Sequence, residues 1–264
     1  RRQEGPAAPQ RLSPDGARPA AAALIQASPN ATLTEREAKA VLAAYGVPVV
    51  GDALVRSAEE AAQAAAGLGW PVALKVESPD IPHKTEAGVI QLNLRSAAEV
   101  REAFEQVMDK ALRVAAPGRI NGVLVQPMVP QGVEIMVGAR IDPQFGAMVV
   151  AGLGGIFVEL LRDTSVRLAP VDTAEARRML GELKAQAVLQ GFRGAAPVDL
   201  DALGRLTERL FECLDECGRE LLGVLPQRLG RDHCGISGVV PVGHLRGPLD
   251  GKRDALGGPR RSKR

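Results

Sequence analysis

An α/β protein, with helices packed on sheets, is the fold class this sequence predicts, and three observations carry that expectation. Aromatic residues make up only 3% of the 264 residues while alanine is abundant, so the core has to be built from Ala, Val, Leu and Ile, which suits helices laid on a sheet. Short apolar runs of strand length alternate with longer segments of helical period. Several of those helical segments open on a Ser, Thr or Asp with Glu three residues later, the reciprocal capping pattern of a helix start. The length allows one large domain or two modest subdomains.

Residues 1–30, rich in Ala, Pro and Arg and without periodicity, read as a disordered lead or linker. Order is expected from near Leu33. Thr34 with Glu37 caps a helix that runs to Gly46, and the strand-like Val47-Pro-Val-Val50 follows. Ser57 with Glu60 and Ser96 with Glu99 repeat the pattern, predicting helices over 58–68 and 97–114 that flank strands near 71–77 and 88–94. Together these make a first α/β subdomain over 31–125. Strands near 121–128, 133–141 and 147–152 come next, with Pro127 marking where the first of them leaves its sheet. Asp172 with Glu175 opens a helix to about Leu189, and Asp199 precedes one that reaches residue 217 or beyond, within a second subdomain over 126–212. Residues 213–264 show several Gly and Pro breaks and a basic end, and read as an atypical, disordered tail. There is no internal repeat.

Composition narrows the function classes. No run of about 18 apolar residues and no signal-peptide pattern is present, so neither membrane spanning nor export is expected, and the cytoplasm is the default location. Cys213, Cys217 and Cys234 are odd in number and lack a second pair at zinc-finger spacing, so they read as free thiols. The last nineteen residues carry seven Lys or Arg against two Asp, a net +5 within a chain of net +2, so everything before them sums to −3. The basic character belongs to the tail, which has no aromatic residue to stack on bases, and no nucleic-acid partner is expected.

Chemistry concentrates around Val72-Ala-Leu-Lys75 and the loop Ser78-Pro-Asp-Ile-Pro-His83-Lys84-Thr-Glu-Ala-Gly88. Val72, Ala73, Leu74 and Val76 form a buried apolar strand, so Lys75 within it needs an anionic partner, for which nucleotide phosphate is the candidate. The blander reading is a strand-end lysine with its head in solvent. Eight residues on, His83 stands in a loop shaped by Pro79, Pro82 and Gly88, and an ordinary loop histidine is its alternative. Gly152, Gly154 and Gly155 do not make a dinucleotide fingerprint and read instead as a close backbone approach. Glu159, Asp163 and Arg167 follow at spacings of four, which on a helix would share one face, either as a site or as a salt-bridged stripe.

Taken in order, the His83-Lys84 loop, Val125-Gln126-Pro127-Met128-Val129, Gly132-Val-Glu134, Asp142-Pro-Gln-Phe-Gly146, Gly152-Leu-Gly-Gly155-Ile-Phe-Val-Glu159 and Leu189-Gln-Gly191-Phe-Arg-Gly194 resemble the ATP-grasp domain of the ADP-forming acyl-CoA synthetases, relatives of succinyl-CoA ligase. The resemblance covers roughly residues 33 to 210. It implies an ATP-grasp fold, two α/β subdomains with ATP or ADP between them. Lys75 would then be the phosphate cation, a compact charge that needs no bidentate geometry. Gln126, Pro127, Met128 and Val129 would lie along the adenine edge, with strand core as the alternative role, and Glu134 would approach the ribose or base. Gly154, Gly155, Glu159 and Lys84 would border the phosphate-transfer site. His83 matches the ATP-grasp histidine of the family's phosphoryl relay, and a neutral imidazole is a competent nucleophile near pH 7.

The family's CoA-binding ligase part is not among these residues, so a partner subunit or domain is implied, which would handle acyl-CoA and phosphate. Past about Leu210 the chain departs from the pattern. The resemblance calls for a strand bearing an acidic residue, Asp and Asn-Pro-Leu that would hold Mg2+, and then for a closing strand; neither is legible from Phe211 to Arg264, so the metal ligands stay unknown. A shifted reading frame past codon 210, or a degenerate end, would produce such a departure. Two readings follow: the ATP-grasp component of an ADP-forming acyl-CoA synthetase, or a non-catalytic nucleotide-binding or interaction module such as a decayed paralogue or an acetyltransferase-fused region.

Overall fold

The computed structural model describes residues 12–30, 33–81, 84–130, 132–142, 144–154, 163–191, 197–224 and 235–241. Two antiparallel four-stranded sheets organise them. The first is formed by β1 (Ala53–Val55), β2 (Val72–Glu77), β3 (Ile90–Leu94) and β4 (Gly122–Pro127), in the spatial order β1-β4-β2-β3. Val72, Leu74 and Val76 of β2 and Val123 and Val125 of β4 turn one face toward α3 (Ala58–Leu68) and α4 (Ala97–Val114), whose Ala65 and Val107 complete a dry core. Strand alternation therefore puts Ala73, Lys75 and Glu77 of β2 and Leu124 and Gln126 of β4 on the opposite face.

The second sheet is made of β5 (Glu134–Asp142), β6 (Gly146–Leu153), β7 (Thr164–Leu168) and β8 (Gly235–Pro241), ordered β7-β6-β5-β8. Ile135, Val137, Val149 and Ala151 meet Met179 of α5 (Thr173–Gly181) and Leu203 and Leu214 of α7 (Leu200–Val224), with the short α6 (Gln186–Leu189) adding Leu189. A third, smaller core joins α1 (Ala17–Ala27), α2 (Glu35–Ala44) and α7 through Ala21, Val41, Tyr45, Cys213 and Cys217. Leu42 of α2 packs against both this core and the second sheet's, so α2 is built onto the second lobe while its first turn reaches the first.

The capping residues explain the helix starts. The Thr34 hydroxyl accepts from the Glu37 N–H and the Glu37 carboxylate accepts from the Thr34 N–H at 2.7 Å, while Ser57, Ser96 and Asp172 each cap the N–H three residues on. α3 and α4 have the bounds that spacing predicts.

Four expectations are corrected. The lead over 1–30 contains α1, because alanine favours helix and Pro19 lies within the first turn, where its missing N–H has no partner to lose. Val47-Pro-Val-Val50 joins no sheet: the Val47 N–H donates to the Leu42 carbonyl, Pro48 has none to give, and the strand comes later as β1. The helix expected to Leu189 breaks after Gly181, where the Asp163 carboxylate accepts from the Lys184 and Ala185 N–H groups at 3.0 and 2.9 Å and turns the chain. Residues 213–264 are not a uniform tail, since α7 continues to Val224 with Cys213, Leu214 and Cys217 buried, and β8 pairs with β5 over Glu134↔Pro241 to Arg140↔Gly235.

Candidate functional site

Lys75 projects from the face of β2 that the helices α3 and α4 leave uncovered, and Gln126 projects from the same face of the neighbouring β4. Both reach one carboxylate. Glu35, in the first turn of α2, accepts from Lys75 Nζ at 3.2 Å and from Gln126 Nε2 at 3.0 Å on its Oε1, and its Oε2 lies 3.7 Å from Lys84 Nζ. Lys39, one turn along α2, is 3.3 Å from the same carboxylate and 3.0 Å from Asp52. The Thr34 cap holds the helix start that aims Glu35, and Gly88, at φ +67°, closes the turn in which the Val89 N–H donates to the Lys84 carbonyl. Three lysines thus meet two carboxylates, leaving one positive charge in a half-buried setting.

Burial works to raise the Glu35 carboxyl, but the Gln126 hydrogen bond and the charges of Lys75 and Lys39 outweigh it and hold it at about 2, so Glu35 is ionised throughout the neutral range. Two residues along β2 on the same face, Glu77 is 1% exposed, and among the described residues neither of its carboxylate oxygens has a hydrogen-bond partner.

The residues expected to serve a nucleotide fall into two groups. Lys75, Lys84 and Gln126 converge on Glu35. Glu134 and Gly154 form the second group: the Gly154 N–H donates to the Glu134 carbonyl at 2.6 Å, and a Cβ on Gly154 would lie 3.0 Å from that of Glu134. Gly152 is crowded likewise by the Asp163 carbonyl, so part of the glycine run serves the close approach of β5, β6 and β7. Among the described residues no hydrogen bond joins the two groups. Pro127 ends β4, and the Met128 N–H beyond it donates to the Pro71 carbonyl at 2.9 Å, so that donor is engaged within the protein; Val129 follows in the connection to β5. His83, Gly155 and Glu159 lie outside the described residues.

Asp163 and Arg167 do not share a helix face. Asp163 caps the turn before α6, and Arg167, on β7, pairs with Glu175 at 2.6 Å and with Glu182, so both are explained by structure. Glu35 was not legible as a site residue, because an acidic side chain in a first helical turn is what the helix dipole favours anyway.

The arrangement can receive an anion. Lysine ammonium groups and an amide N–H₂ directed at one point, Lys75 and Gln126 from the sheet face and Lys84 from the turn after β2, suit phosphate oxygens, and here a carboxylate takes the hydrogen bonds.

A family model described as an ATP-grasp domain matches residues 24–219. The chain is 42% identical over 183 residues to the β subunit of the ADP-forming acetate–CoA ligase I of Pyrococcus furiosus, covering 69% of this chain and 79% of that one. A solved acetyl-coenzyme A synthetase 1 of Candidatus Korarchaeum cryptofilum, in complex with coenzyme A and Ca-AMPCP, is 42% identical with a TM-score of 0.66, over 71% of this chain and 80% of that one. In a second structure of that enzyme, with Mg-AMPPCP, a phosphohistidine segment points towards the nucleotide binding site; it aligns at 35% identity and a TM-score of 0.63, over 84% and 90% of the two chains.

Proposed function

The chain belongs to the ATP-grasp domain family and is similar to the β subunits of the ADP-forming acetate–CoA ligases, and from that premise we propose that it is the nucleotide-binding component of an ADP-forming acyl-CoA synthetase. The observation that supports this most is the convergence of Lys75, Lys84 and Gln126 on one carboxylate, with Lys84 directly following His83. Lys75 binds the phosphates of ADP or ATP. His83 carries the phosphoryl group: an imidazole nitrogen takes it from a phosphohistidine of the CoA-binding partner, one N–P bond forming as the other breaks. A terminal oxygen of ADP then attacks that phosphorus, the His83 N–P bond breaks, and ATP forms while the imidazole returns to its neutral state. The partner, a CoA-binding ligase subunit or domain, supplies acyl-CoA and phosphate, and the pair works in the cytoplasm.

The donor set around Glu35 fits a polyphosphate. It does not extend to magnesium on β8, whose Gly235-Ile-Ser-Gly-Val-Val-Pro241 carries one hydroxyl and neither carboxylate nor amide. Metal spreads the charge that develops in phosphoryl transfer, so this strand favours a second reading, a module that binds nucleotide with little turnover.

Two measurements test the proposal. Lys75→Ala is expected to weaken ADP binding by about 2–3 kcal/mol, the range of a hydrogen bond to a charged group, with folding little changed; calorimetric titration reads it, and equal affinities would remove the phosphate role. After incubation with the partner, acyl-CoA, phosphate and magnesium, mass spectrometry under basic conditions is expected to find acid-labile phosphate on His83. Labelling that persists in His83→Ala would place the phosphoryl group elsewhere, and binding without labelling would support the second reading.

A further inference from the structure

Glu35 is the feature the proposed reaction leaves unused, and it is the most heavily contacted carboxylate in the candidate site. It comes from α2, whose Val41 and Tyr45 are buried with α1 and α7, whereas Lys75 and Gln126 come from the first sheet. Its side chain is 25% exposed and its partners Lys75 and Lys84 are 26% and 14% exposed, so these ion pairs are screened less than surface pairs and their charges act on whatever enters beside them. A phosphate brought to Lys75 has to share the lysine with a carboxylate already 3.2 Å away, or displace it.

We propose that Glu35 is an internal counter-ion that occupies the phosphate-binding lysines of the free protein and sets how tightly the site holds a nucleoside polyphosphate. This rests on the reading of Lys75 as a phosphate ligand. A ligand with several negative charges gains enough from Lys75 and Lys84 to take them from the carboxylate, whereas a singly charged anion offers no more than Glu35 already does. The site is thereby biased toward di- and triphosphates, and its hold on them is weakened by the like charge that stays nearby, which favours release. Gathering Lys75, Lys84 and Gln126 at one point is the accompanying positioning role. The carboxamide oxygen of glutamine can still accept the hydrogen bonds of Lys75 and Gln126 that Oε1 accepts, so Glu35→Gln removes the charge and keeps those two contacts while giving up the one to Lys84.

The test is titration of the whole chain with ADP and, separately, with inorganic triphosphate. Glu35→Gln is expected to bind both roughly tenfold more tightly, since a negative charge beside the ligand is gone. It should also show a steeper loss of affinity with added salt. Glu35→Asp, which keeps the charge, is expected to stay near wild type. A variant damaged only in its structure would lose affinity, so tightening is not a result that a packing role could give. Unchanged or weaker binding by folded Glu35→Gln, with Lys75→Ala weak as expected, overturns this inference alone. ADP binding undiminished in Lys75→Ala overturns the phosphate reading beneath it.

Discussion

Glu77 is closed off on the face of β2 that also bears Lys75, and its two carboxylate oxygens accept nothing from the described residues. A buried acceptor that gives up water without a replacement destabilises the fold, so Glu77→Met, close in volume and free of the orphaned oxygens, is expected to raise stability by about 1–3 kcal/mol in urea unfolding. A loss of stability would show that the carboxylate has a partner in solution. Glu35 behaves oppositely. Its folded pKa of about 2 lies below the ordinary 4.5, so its ion pairs contribute fully above about pH 4.5, and that contribution is lost as pH falls toward 2. The urea midpoint of the wild type is expected to drop through that window by more than the midpoint of Glu35→Gln, and parallel pH profiles would deny Glu35 the role. Neither residue could be read from the chain. Lys75 and Gln126 lie 40 and 91 positions from Glu35, and nothing local marks a strand glutamate as unpartnered.

Among the helices, α7 reaches two of the described cores. Leu203 and Leu214 enter the core of the second sheet, Cys213 and Cys217 enter the core with α1 and α2, and Arg209 donates to the Gly46 carbonyl at 2.8 Å. Leu214→Ala is expected to cost about 2–5 kcal/mol, the range for emptying a fully buried leucine site, and thermal unfolding measures it. The helices α3, α4 and α5 were legible because capping side chains and apolar period agree at their starts. β2, β4, β5 and β6 were legible as apolar runs with short connections. By contrast α1 buries only alanines, whose small size leaves little periodic contrast, and its proline resembles a linker's. Of the site, Lys75 stood out as a charge inside an apolar strand, and the structure gives it the anionic partner that its position demands. That partner is a carboxylate of this chain rather than a ligand.

At the scale of the molecule, two sheet lobes are tied by a helix that packs on one and places its first carboxylate against the other. The described cores draw on residues between 17 and 217, so deleting 225–264 is expected to leave thermal unfolding of those cores close to that of the full chain while opening the β5 edge from Glu134 to Arg140. Light scattering after gel filtration is expected to show self-association of the shortened chain, since an unpaired strand edge recruits another. A shortened chain that stays monomeric would mean that β8 does not protect the edge in solution.

The pairing of β8 with β5 also separates two properties that are easily taken as one. A strand edge recognises N–H and C=O groups, which almost every residue carries, and so accepts an extended segment with little regard to its side chains. Gly235-Ile-Ser-Gly-Val-Val-Pro241 can therefore finish a sheet while carrying neither a carboxylate nor a side-chain amide. The architecture has no means of proofreading this position. A well-formed sheet edge certifies that a strand arrived there, and says nothing of which side chains it carries.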